Sequence, residues 1–284
     1  MTPAKPRGFP AQLDKKIDVA EGLAIFRVVF NQDFVFKCGQ YATLWLTHRG
    51  ETVPRPYSIA SSPSEKRALE FYINLVAEGK LTPWLWNPEV LQGLQNGDPE
   101  TTLSITGPKG NFVLDPADQR DLVFVASGTG LAPFMSMVRK LNEDYLNAAE
   151  TSGTRRIYLV HGVSYSDNFG YRQELEQLAA ECLNNPARKL GLVYLPTISR
   201  PQMDPTWHGL KGRAESLFED LAPRNSKPLD LDDTVKAMMR ALLRPETHAV
   251  YICGHPGTID NTARILSSRG FAQPKDLKFE KYYT

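Results

Sequence analysis

The 284-residue chain has few cysteines. Its three cysteines, Cys38, Cys182 and Cys253, lie far apart in the sequence. This spacing matches neither a disulfide framework nor a zinc site, and three thiolates are too few for a four-cysteine iron–sulfur cluster. An iron–sulfur centre that acts together with this chain is therefore expected on a partner.

The sequence also lacks long apolar runs and a strong net charge. No stretch approaches the ~18 consecutive apolar residues of a transmembrane helix, and residues 1–10 lack the apolar core of a signal peptide. We therefore expect a cytoplasmic protein without membrane association. The 33 basic residues nearly balance 32 acidic ones, giving a formal net charge of +1, so nucleic-acid binding is not expected. A hydrophobic content of 42% is sufficient for two domains of ordinary size.

The first part of the chain, from about Leu13 to Val113, contains short runs of β-branched and aromatic residues separated by Gly, Pro and Asn. These runs predict an antiparallel barrel or sandwich with strands over Leu23–Phe30, Tyr41–Leu46, Leu69–Val76 and Thr101–Ile105. One helix is expected to interrupt the strands, because Thr82 suits the N-cap and Pro83 the first helical position.

From Asp121 onward, apolar strands alternate with helical segments, which predicts a parallel sheet with right-handed crossovers. The expected strand and helix pairs are Leu122–Ala126 with Leu131–Asn147, Arg156–His161 with Arg172–Leu183, Gly191–Leu195 with Arg213–Asp220, and Ala249–Cys253 with Gly257–Ser268. A surface insertion is expected over Pro223–Leu231, before a helix near Asp232–Leu243. Asp115-Pro116 breaks the pattern, and we therefore predict domains over 1–116 and 117–284.

The motif Arg55-Pro56-Tyr57-Ser58 (RPYS) combines a cation, an aromatic ring and a hydroxyl group. Arg55 can pair with a phosphate, Tyr57 can stack on a flat ring system, and Ser58 can hydrogen-bond to a ring nitrogen. Alternation along a strand places Arg55 and Tyr57 on one face, so Ser58 needs a local twist to reach the same ligand. Taken by itself, the motif also fits an ordinary strand with a surface arginine and a half-buried tyrosine.

Two glycine-containing segments suit phosphate groups. Residues 79–82 (GKLT) lie at the start of the predicted helix, where free N–H groups attract anions, although a simple capped helix is the alternative. Residues 128–133 (GTGLAP) follow an apolar strand and precede a helix, which is the context of a phosphate-binding turn. Gly128 and Gly130 are expected to permit positive φ and close backbone approach. Pro133 replaces the third glycine of the usual dinucleotide fingerprint.

Three later features could bind or cover a nicotinamide nucleotide or a flavin. Arg200 and Arg213 follow a strand and could bind the 2′-phosphate of NADP, or they are two solvated arginines. Cys253 ends another strand, where a thiol packs against a ligand ring or is simply a small buried apolar group. The final residues 280–284 (EKYYT) carry two aromatic rings that could cover a flavin or pack in a core.

In their order, RPYS, GKLT, GTGLAP, TISR with GR, CGHP and EKYY resemble the ferredoxin–NADP reductase family over nearly the whole chain, most of all its bacterial members. The resemblance implies a two-domain fold, with an antiparallel β-barrel FAD domain followed by a Rossmann-like parallel-sheet NADP domain. It also implies hydride transfer between NADP(H) and FAD, and single-electron transfer between FAD and ferredoxin or flavodoxin. A monomer is expected from the same resemblance.

The resemblance further implies roles for individual residues. The implied catalytic residues, next to the flavin and the nicotinamide, are Ser58, Cys253, Glu280 and Tyr282. The implied FAD-binding residues are Arg55, Pro56, Tyr57, Ser58, Tyr72, Ile73, Asn74, Gly79, Lys80, Leu81, Thr82 and Tyr282. Tyr283 is a further cofactor-binding residue, which either stacks on the FAD adenine or controls access of the nicotinamide. The implied NADP-binding residues are Ser127, Gly128, Thr129, Gly130, Pro133, Ser199, Arg200, Arg213 and Gly254. No metal ligand is implied.

The sequence departs from the family pattern in two ways. Tyr283 and Thr284 extend beyond the stacking tyrosine, and Ser164 stands where some bacterial relatives carry an arginine. Other functions also fit the motifs: a reductase that serves an oxygenase, a stand-alone flavin reductase, or a non-catalytic nucleotide-binding module. The presence of Ser58, Cys253 and Glu280 together favours an enzyme over the last of these.

Overall fold

A computed structural model describes residues 8–147, 153–185, 187–220 and 230–282. The chain divides into two compact units. Unit 1 comprises residues 1–114 and 132–140, and unit 2 comprises residues 115–131 and 141–284. The predicted domain boundary after residue 116 stays a prediction. Tyr283 and most of the predicted insertion lie outside the described residues.

Unit 1 contains a six-stranded antiparallel sheet with the strand order β4-β3-β6-β1-β2-β5. An isolated bridge joins Ile59, the residue that follows β4, to Phe71 of β5, and β4 and β5 are the two edge strands. The predicted antiparallel architecture is therefore confirmed. The strands are β1 (Phe9–Ala20), β2 (Leu23–Val29), β3 (Tyr41–His48), β4 (Glu51–Ser58), β5 (Ala68–Asn74) and β6 (Thr101–Lys109).

Alternation along these strands builds the core of unit 1. In β3, the side chains of Ala42, Leu44 and Leu46 are buried, whereas their neighbours are partly exposed. A period of two residues places such side chains on one face of the sheet, where they belong to the same buried apolar core as Phe26 and Phe71. The apolar pattern of the sequence thus fixes which face of each strand is internal.

Two short helices connect β5 to β6. The first, α1 (Thr82–Leu85), begins one residue earlier than predicted, since Leu81 is the N-cap and Thr82 is already helical. The second, α2 (Pro88–Asn96), was not predicted. Its N-cap Asn87 accepts hydrogen bonds from the N–H groups of Glu89 and Val90, and a proline follows at the first helical position. This Asn-Pro pair is the same signal as Thr82-Pro83.

Unit 2 contains a six-stranded parallel sheet with the strand order β10-β9-β8-β7-β11-β12. The predicted parallel sheet is confirmed. Its strands are β7 (Asp121–Ser127), β8 (Arg155–Val163), β9 (Leu190–Ile198), β10 (Leu210–Lys211), β11 (His248–Gly254) and β12 (Leu277–Lys281). The longer helices of unit 2 are α4 (Arg172–Asn184), α5 (Leu231–Leu242) and α6 (Pro256–Ser267), whereas α3 (Ala132–Leu146) is divided between the units at residue 140.

Two elements of unit 2 differ from the prediction. The helix expected over Arg213–Asp220 is a short 3-10 helix, Ala214–Phe218. Leu277–Lys281 form β12, which pairs in parallel with β11 and was not predicted. The central strands β7 and β11 read as continuous apolar runs because both of their faces are covered. None of the helices in the described part of the chain combines the length and apolar composition needed to cross a bilayer.

Candidate functional site

The RPYS motif lies in the second half of β4, an edge strand of the unit 1 sheet. Arg55 is exposed, Tyr57 is half-buried and Ser58 is buried, so Tyr57 and Ser58 lie on opposite faces of the strand. The Arg55 guanidinium donates to the carbonyl oxygen of Pro54 at 2.8 Å, which holds the cation beside its own strand. The motif thus offers an exposed cation next to an aromatic ring.

The Tyr57 ring packs against the ring of Phe71, with 6.3 Å between the centroids. Burial raises the pKa of Tyr57 to about 12, against a smaller opposing effect of the Arg55 charge. The phenol group is therefore neutral at physiological pH and can donate a hydrogen bond. A neutral ring held on one side by Phe71 is suited to stack on a flat ligand.

Tyr72, Ile73 and Asn74 form the end of β5. Tyr72 and Ile73 are buried, and Ile73 belongs to the apolar core of unit 1, whereas Asn74 is exposed. The Ile73 side chain is thus used for packing, which leaves its main chain for a ligand contact. The Asn74 amide is the polar side chain that this strand presents to solvent.

In the GKLT segment, the Thr82 side chain does not cap the helix as predicted. The Thr82 hydroxyl accepts a hydrogen bond from the Val76 N–H and donates one to the Val76 carbonyl oxygen, both at 3.0 Å. It therefore closes the loop from Val76 to Thr82 instead of capping the helix. A single-turn helix has few aligned peptide groups, which weakens the attraction of its N-terminus for anions. Leu81 is buried in the core, and Lys80 is the exposed charge of the segment.

In unit 2, the first residues of the GTGLAP segment form a 3-10 turn, Gly128–Leu131, at the carboxyl end of β7. Gly128 has a φ of +54°, and a Cβ atom placed on it would meet no atom within 4 Å. Gly130 has no positive φ, which corrects the prediction for that residue. Instead, a Cβ atom on Gly130 would lie 2.4 Å from the carbonyl oxygen of Cys253. One glycine therefore leaves open space for a ligand, and the other permits close packing.

A buried histidine that the sequence did not single out contacts this turn. The His161 side chain at the end of β8 is fully buried, with its Nε2 3.3 Å from the Gly128 carbonyl oxygen. Its Nδ1 lies 3.2 Å from the hydroxyl of Tyr194 on β9. Burial lowers the pKa of His161 to about 4, although the Gly128 carbonyl partly opposes this effect. The ring is therefore neutral at physiological pH.

Ser127 and Gly254 connect the ends of β7 and β11. The Ser127 hydroxyl accepts a hydrogen bond from the His255 N–H at 2.7 Å. A Cβ atom on Gly254 would lie 2.4 Å from the Ser127 Oγ, so glycine is required for this close approach. Thr129 is partly exposed on the turn, and Pro133 is buried in the first turn of α3. Ser127 thus holds the two strand ends together.

Three of the four predicted catalytic residues meet in unit 2. Cys253 on β11 is opposite Glu280 on β12 in the parallel register, and Cys253 is fully buried. Burial and, to a smaller extent, the Glu280 charge raise the pKa of the Cys253 thiol, while a hydrogen bond with the Tyr282 side chain acts in the opposite direction. The thiol is therefore protonated and unsuited to be a nucleophile. It is a small neutral group at the strand end.

The predicted 2′-phosphate residues lie near the carboxyl ends of β8 and β9. The Ser199 N–H donates to the Val163 carbonyl oxygen at 2.9 Å, and the exposed Arg200 guanidinium donates to the Tyr165 hydroxyl at 2.7 Å. The Arg200 cation also lies 5.3 Å from the centroid of the Tyr165 ring. Tyr165, which the sequence analysis did not single out, therefore orients this arginine.

Arg213 follows β10, the strand next to β9. The buried Thr197 hydroxyl donates to the Gly212 carbonyl oxygen at 2.9 Å, and the Gly212 N–H donates to the Ile198 carbonyl oxygen at 2.8 Å. These bonds attach the Gly212-Arg213 turn to the end of β9, with the Arg213 side chain exposed. The two arginines are thus brought to the same edge of one sheet, where α/β proteins bind nucleotides.

Profiles of two oxidoreductase domains match the chain, the FAD-binding domain over residues 10–114 and the NAD-binding domain over residues 124–264. Ferredoxin–NADP reductase A of Sorangium cellulosum is 30% identical over 257 residues, which cover 88% of this chain and 81% of the relative. The chain belongs to the ferredoxin–NADP reductase family. It is accordingly a flavoprotein oxidoreductase whose cofactors are FAD and a nicotinamide nucleotide, as the motifs predicted.

Members with other partners are also similar to the chain. The reductase component of phenol 2-monooxygenase from a Pseudomonas species is 26% identical over 268 residues, which cover 94% of this chain. The chain spans only 64% of the length of that relative. The solved structure of a ferredoxin NADP+ reductase from Neisseria gonorrhoeae with bound FAD and NADP superposes with a TM-score of 0.73 at 19% identity, covering 98% of this chain and 100% of the other. This likeness supports the two-domain fold.

Proposed function

We propose that the chain transfers hydride between NADP(H) and FAD, and single electrons between FAD and a ferredoxin or flavodoxin. The observation that carries this proposal is the level of sequence identity. The ferredoxin–NADP reductase A of Sorangium cellulosum is 30% identical over 88% of this chain, whereas the oxygenase reductase is 26% identical over 94% of it.

Preference for the phosphorylated nucleotide follows from the two exposed arginines, Arg200 and Arg213. Guanidinium groups form strong charge-assisted hydrogen bonds with phosphate oxygens. Tyr165 holds Arg200 in place, and Thr197 holds the turn that carries Arg213, so less conformational freedom is lost when a phosphate binds. The 2′-phosphate of NADP is therefore assigned to these residues, and the pyrophosphate to the turn that begins at Gly128.

On the flavin side, Arg55 would neutralise the pyrophosphate and the neutral Tyr57 ring would stack against the cofactor. FAD, when bound, supplies the conversion between hydride transfer and single-electron transfer, which no amino-acid side chain provides. Ser58 is assigned a hydrogen bond near the reactive ring nitrogen. Lys80 is assigned to the pyrophosphate through its charge, because the Thr82 hydroxyl is already engaged by Val76.

The remaining roles, those of Cys253, Glu280 and Tyr282, concern the redox rings of the nicotinamide and the flavin. The raised pKa of Cys253 keeps its sulfur protonated, so the thiol shapes the pocket for the ring without attacking it. Glu280 is assigned to hold or relay a proton at its carboxylate, and Tyr282 to cover the flavin ring. These roles, the monomeric state and the cytoplasmic location are part of the proposal.

A reductase that serves an oxygenase is the second candidate, favoured by the match to the phenol 2-monooxygenase component over 94% of this chain. Three dispersed cysteines in these 284 residues cannot bind a four-cysteine cluster. In this second function, too, the chain would have to pass electrons to a cluster carried elsewhere. The two candidates therefore differ in the acceptor and not in the chemistry of the nucleotide sites.

An anaerobic titration of the purified protein tests the proposal. We expect a yellow protein that retains FAD, is bleached by NADPH at much lower concentrations than by NADH, and is reoxidised by added ferredoxin or flavodoxin. A stand-alone flavin reductase would instead lose FAD during purification and reduce added free flavin. Protein that stays colourless after FAD is supplied would refute flavin binding, and with it the proposed function.

A panel of acceptors separates the two candidates. Stopped-flow reoxidation of the NADPH-reduced protein is measured with a ferredoxin, a flavodoxin and the iron–sulfur component of an oxygenase at equal concentrations. Faster reoxidation by ferredoxin or flavodoxin supports the proposal. Fast reoxidation by the oxygenase component alone would assign the chain to the second candidate.

A further inference from the structure

His161 is a buried polar residue that none of the roles described above explains. Its side chain is fully buried at the carboxyl end of β8, where it lies between the Gly128 turn and Tyr194 on the neighbouring strand β9. Burying an imidazole is unfavourable unless its nitrogens have hydrogen-bond partners. Here both nitrogens have one, which points to a defined role for the ring.

The two partners determine which nitrogen carries the proton. A carbonyl oxygen can only accept a hydrogen bond, so Nε2 must donate its proton to the Gly128 oxygen, 3.3 Å away. In the neutral ring, Nδ1 then has no proton and accepts from the Tyr194 hydroxyl at 3.2 Å. The hydrogen bonds thus run in one direction, from Tyr194 through His161 to Gly128.

Packing fixes the position of the ring. The Phe169 ring meets His161 edge-on, with 5.2 Å between the centroids at an angle of 72°, and Tyr194 contacts it from β9. The backbone of His161 is held in the middle of the sheet, where it pairs with Ala126 of β7 and Pro196 of β9. Because the ring is fixed in this way, its hydrogen bond can fix the orientation of the Gly128 carbonyl group.

The consequence for the turn follows from the planarity of the peptide bond. The Gly128 carbonyl and the Thr129 N–H belong to one trans peptide group, in which they point in opposite directions. When His161 binds the carbonyl oxygen on the buried side, the Thr129 N–H must point away from the sheet core. Gly128 has a φ of +54° and no side chain, so its own conformational preference does little to fix this peptide.

We propose that His161 is a positioning residue that holds the Gly128–Thr129 peptide so that the Thr129 N–H faces the phosphate of the nicotinamide nucleotide. The inference rests on the proposed function, since it requires the nucleotide to bind at this turn. It adds a residue that does not touch the ligand but orients a group that does. Tyr194 has no assigned contact with the ligand; its hydroxyl fixes the tautomer of the histidine.

Substitutions at His161 test the proposal, with NADP+ as the probe. In His161→Leu the donor is lost, and we expect the Kd for NADP+ and the KM for NADPH to rise roughly tenfold, with little change in kcat. In His161→Gln the amide can still donate to the Gly128 oxygen, and most of the affinity should return. His208→Gln is the matched control, because His208 is exposed, and it should bind like the wild type.

A second variant and a spectroscopic measurement keep the test independent of folding. Tyr194→Phe removes the hydroxyl that fixes the tautomer but keeps the ring, and should weaken NADP+ binding by a few-fold. In 15N NMR spectra of wild-type protein, one buried histidine should show a protonated Nε2 and an unprotonated Nδ1. The Thr129 amide resonance should shift in His161→Leu and return toward its wild-type position in His161→Gln.

Three outcomes would overturn the proposal. Equal NADP+ affinity in His161→Leu and the wild type would show that the turn needs no such support. Equal weakening in the Gln and Leu variants, in step with their loss of thermal stability, would show a merely structural role. The opposite tautomer would contradict the direction of the hydrogen bonds. Failure of the wild type itself to bind NADP+ would instead refute the proposed function on which the inference rests.

Discussion

The two ends of the strands in the parallel sheet of unit 2, called the amino-terminal edge and the carboxyl edge, carry different kinds of residues. At the amino-terminal edge, charged side chains are paired with one another and largely buried. At the carboxyl edge, the corresponding positions carry glycine turns, a neutral buried histidine and two exposed arginines. The difference indicates that one edge stabilises the sheet, whereas the other leaves charge and backbone available for a ligand.

Arg120 is the centre of the amino-terminal edge. Its guanidinium donates to Asp118 at 2.6 Å, to Asp276 at 2.7 Å and to the Pro245 carbonyl oxygen at 2.6 Å. Arg155 adds hydrogen bonds to the carbonyl oxygens of Arg120 and Asp118, both at 2.8 Å. These contacts join the segments that precede β7, β11 and β12 to the first residue of β8. Few of the donors in this network are left for another molecule.

The largest effect is expected from Arg120→Ala. Loss of this guanidinium leaves two carboxylates without their partner, and Asp276 is only 4% exposed, so we expect unfolding to become easier by about 3 to 5 kcal/mol. Chemical denaturation followed by circular dichroism measures this change. Arg240→Ala is the control, since its pair with Asp220 is exposed and should contribute less than about 1 kcal/mol. Similar losses in both variants would remove the distinction between the buried network and a surface pair.

The double variant Arg200→Ala with Arg213→Ala should bind NADPH more weakly and keep its stability, unlike Arg120→Ala. Both side chains are exposed, and we expect thermal stability close to that of the wild type. The KM for NADPH should rise roughly a hundredfold, because two charge-assisted contacts with the 2′-phosphate are lost. The KM for NADH should change little, since NADH has no such phosphate. Equal changes with both nucleotides would show that the phosphate binds elsewhere.

Gly130→Ala should lower both the stability of the fold, by less than Arg120→Ala does, and the affinity for the nucleotide, by less than the double variant does. The added methyl group would lie 2.4 Å from the Cys253 carbonyl oxygen, so the backbone must move, and we expect a loss of about 2 kcal/mol in stability together with weaker nucleotide binding. Gly128→Ala meets no atom but requires a positive φ, with a cost of about 1 kcal/mol. Denaturation of the two variants side by side measures the difference, and the reverse order would contradict close packing at Gly130.

The smallest expected effect is on the stability of the protein at acidic pH. Hydrogen bonds from Arg120 lower the pKa of Asp118; burial alone would raise the pKa of Asp276, but the Ala272 N–H and Arg120 together lower it. Because the pKa values of the two carboxyl groups are lower in the folded state, their ionised forms stabilise the fold above the ordinary aspartate pKa of 3.8. This contribution to stability is lost as the pH falls below that value. Asp276→Asn should lower the free energy of unfolding by about 1 kcal/mol at pH 7. In urea titrations, the stability of this variant should change less than that of the wild type between roughly pH 5 and pH 3. An unchanged pH profile would exclude Asp276 from the acid response.

Much of the fold could be predicted because it depends on local patterns. Alternation in β3 and the apolar runs of β7 and β11 gave those strands, and the strand and helix order gave the parallel sheet. The motifs GTGLAP and RPYS also indicated both cofactors. Patterns of this kind are visible within a window of ten residues or so, since each reflects the burial of one face or the geometry of one turn.

The features that were not predicted depend on partners distant in sequence. His161 read as the last residue of an apolar strand, and its contacts with Gly128 and Tyr194 are each 33 residues away. Leu277–Lys281 became the strand β12 because β11 offered a free edge, although this segment has no strong strand pattern of its own. Thr82 has the sequence signal of an N-cap, but its hydroxyl found the Val76 backbone instead. Tertiary contacts decided each of these cases.

The prolines of β4 have a consequence for the behaviour of the protein at high concentration. Pro54 and Pro56 alternate along this edge strand, opposite Trp45 and Thr43 of β3. A proline has no N–H group to offer to another strand, and edge strands that contain proline resist pairing with a second chain. The strand that carries Arg55 and Tyr57 can therefore expose its outer side to a small molecule while discouraging β-aggregation. Pro56 within RPYS is therefore expected to limit pairing of this edge strand with another chain.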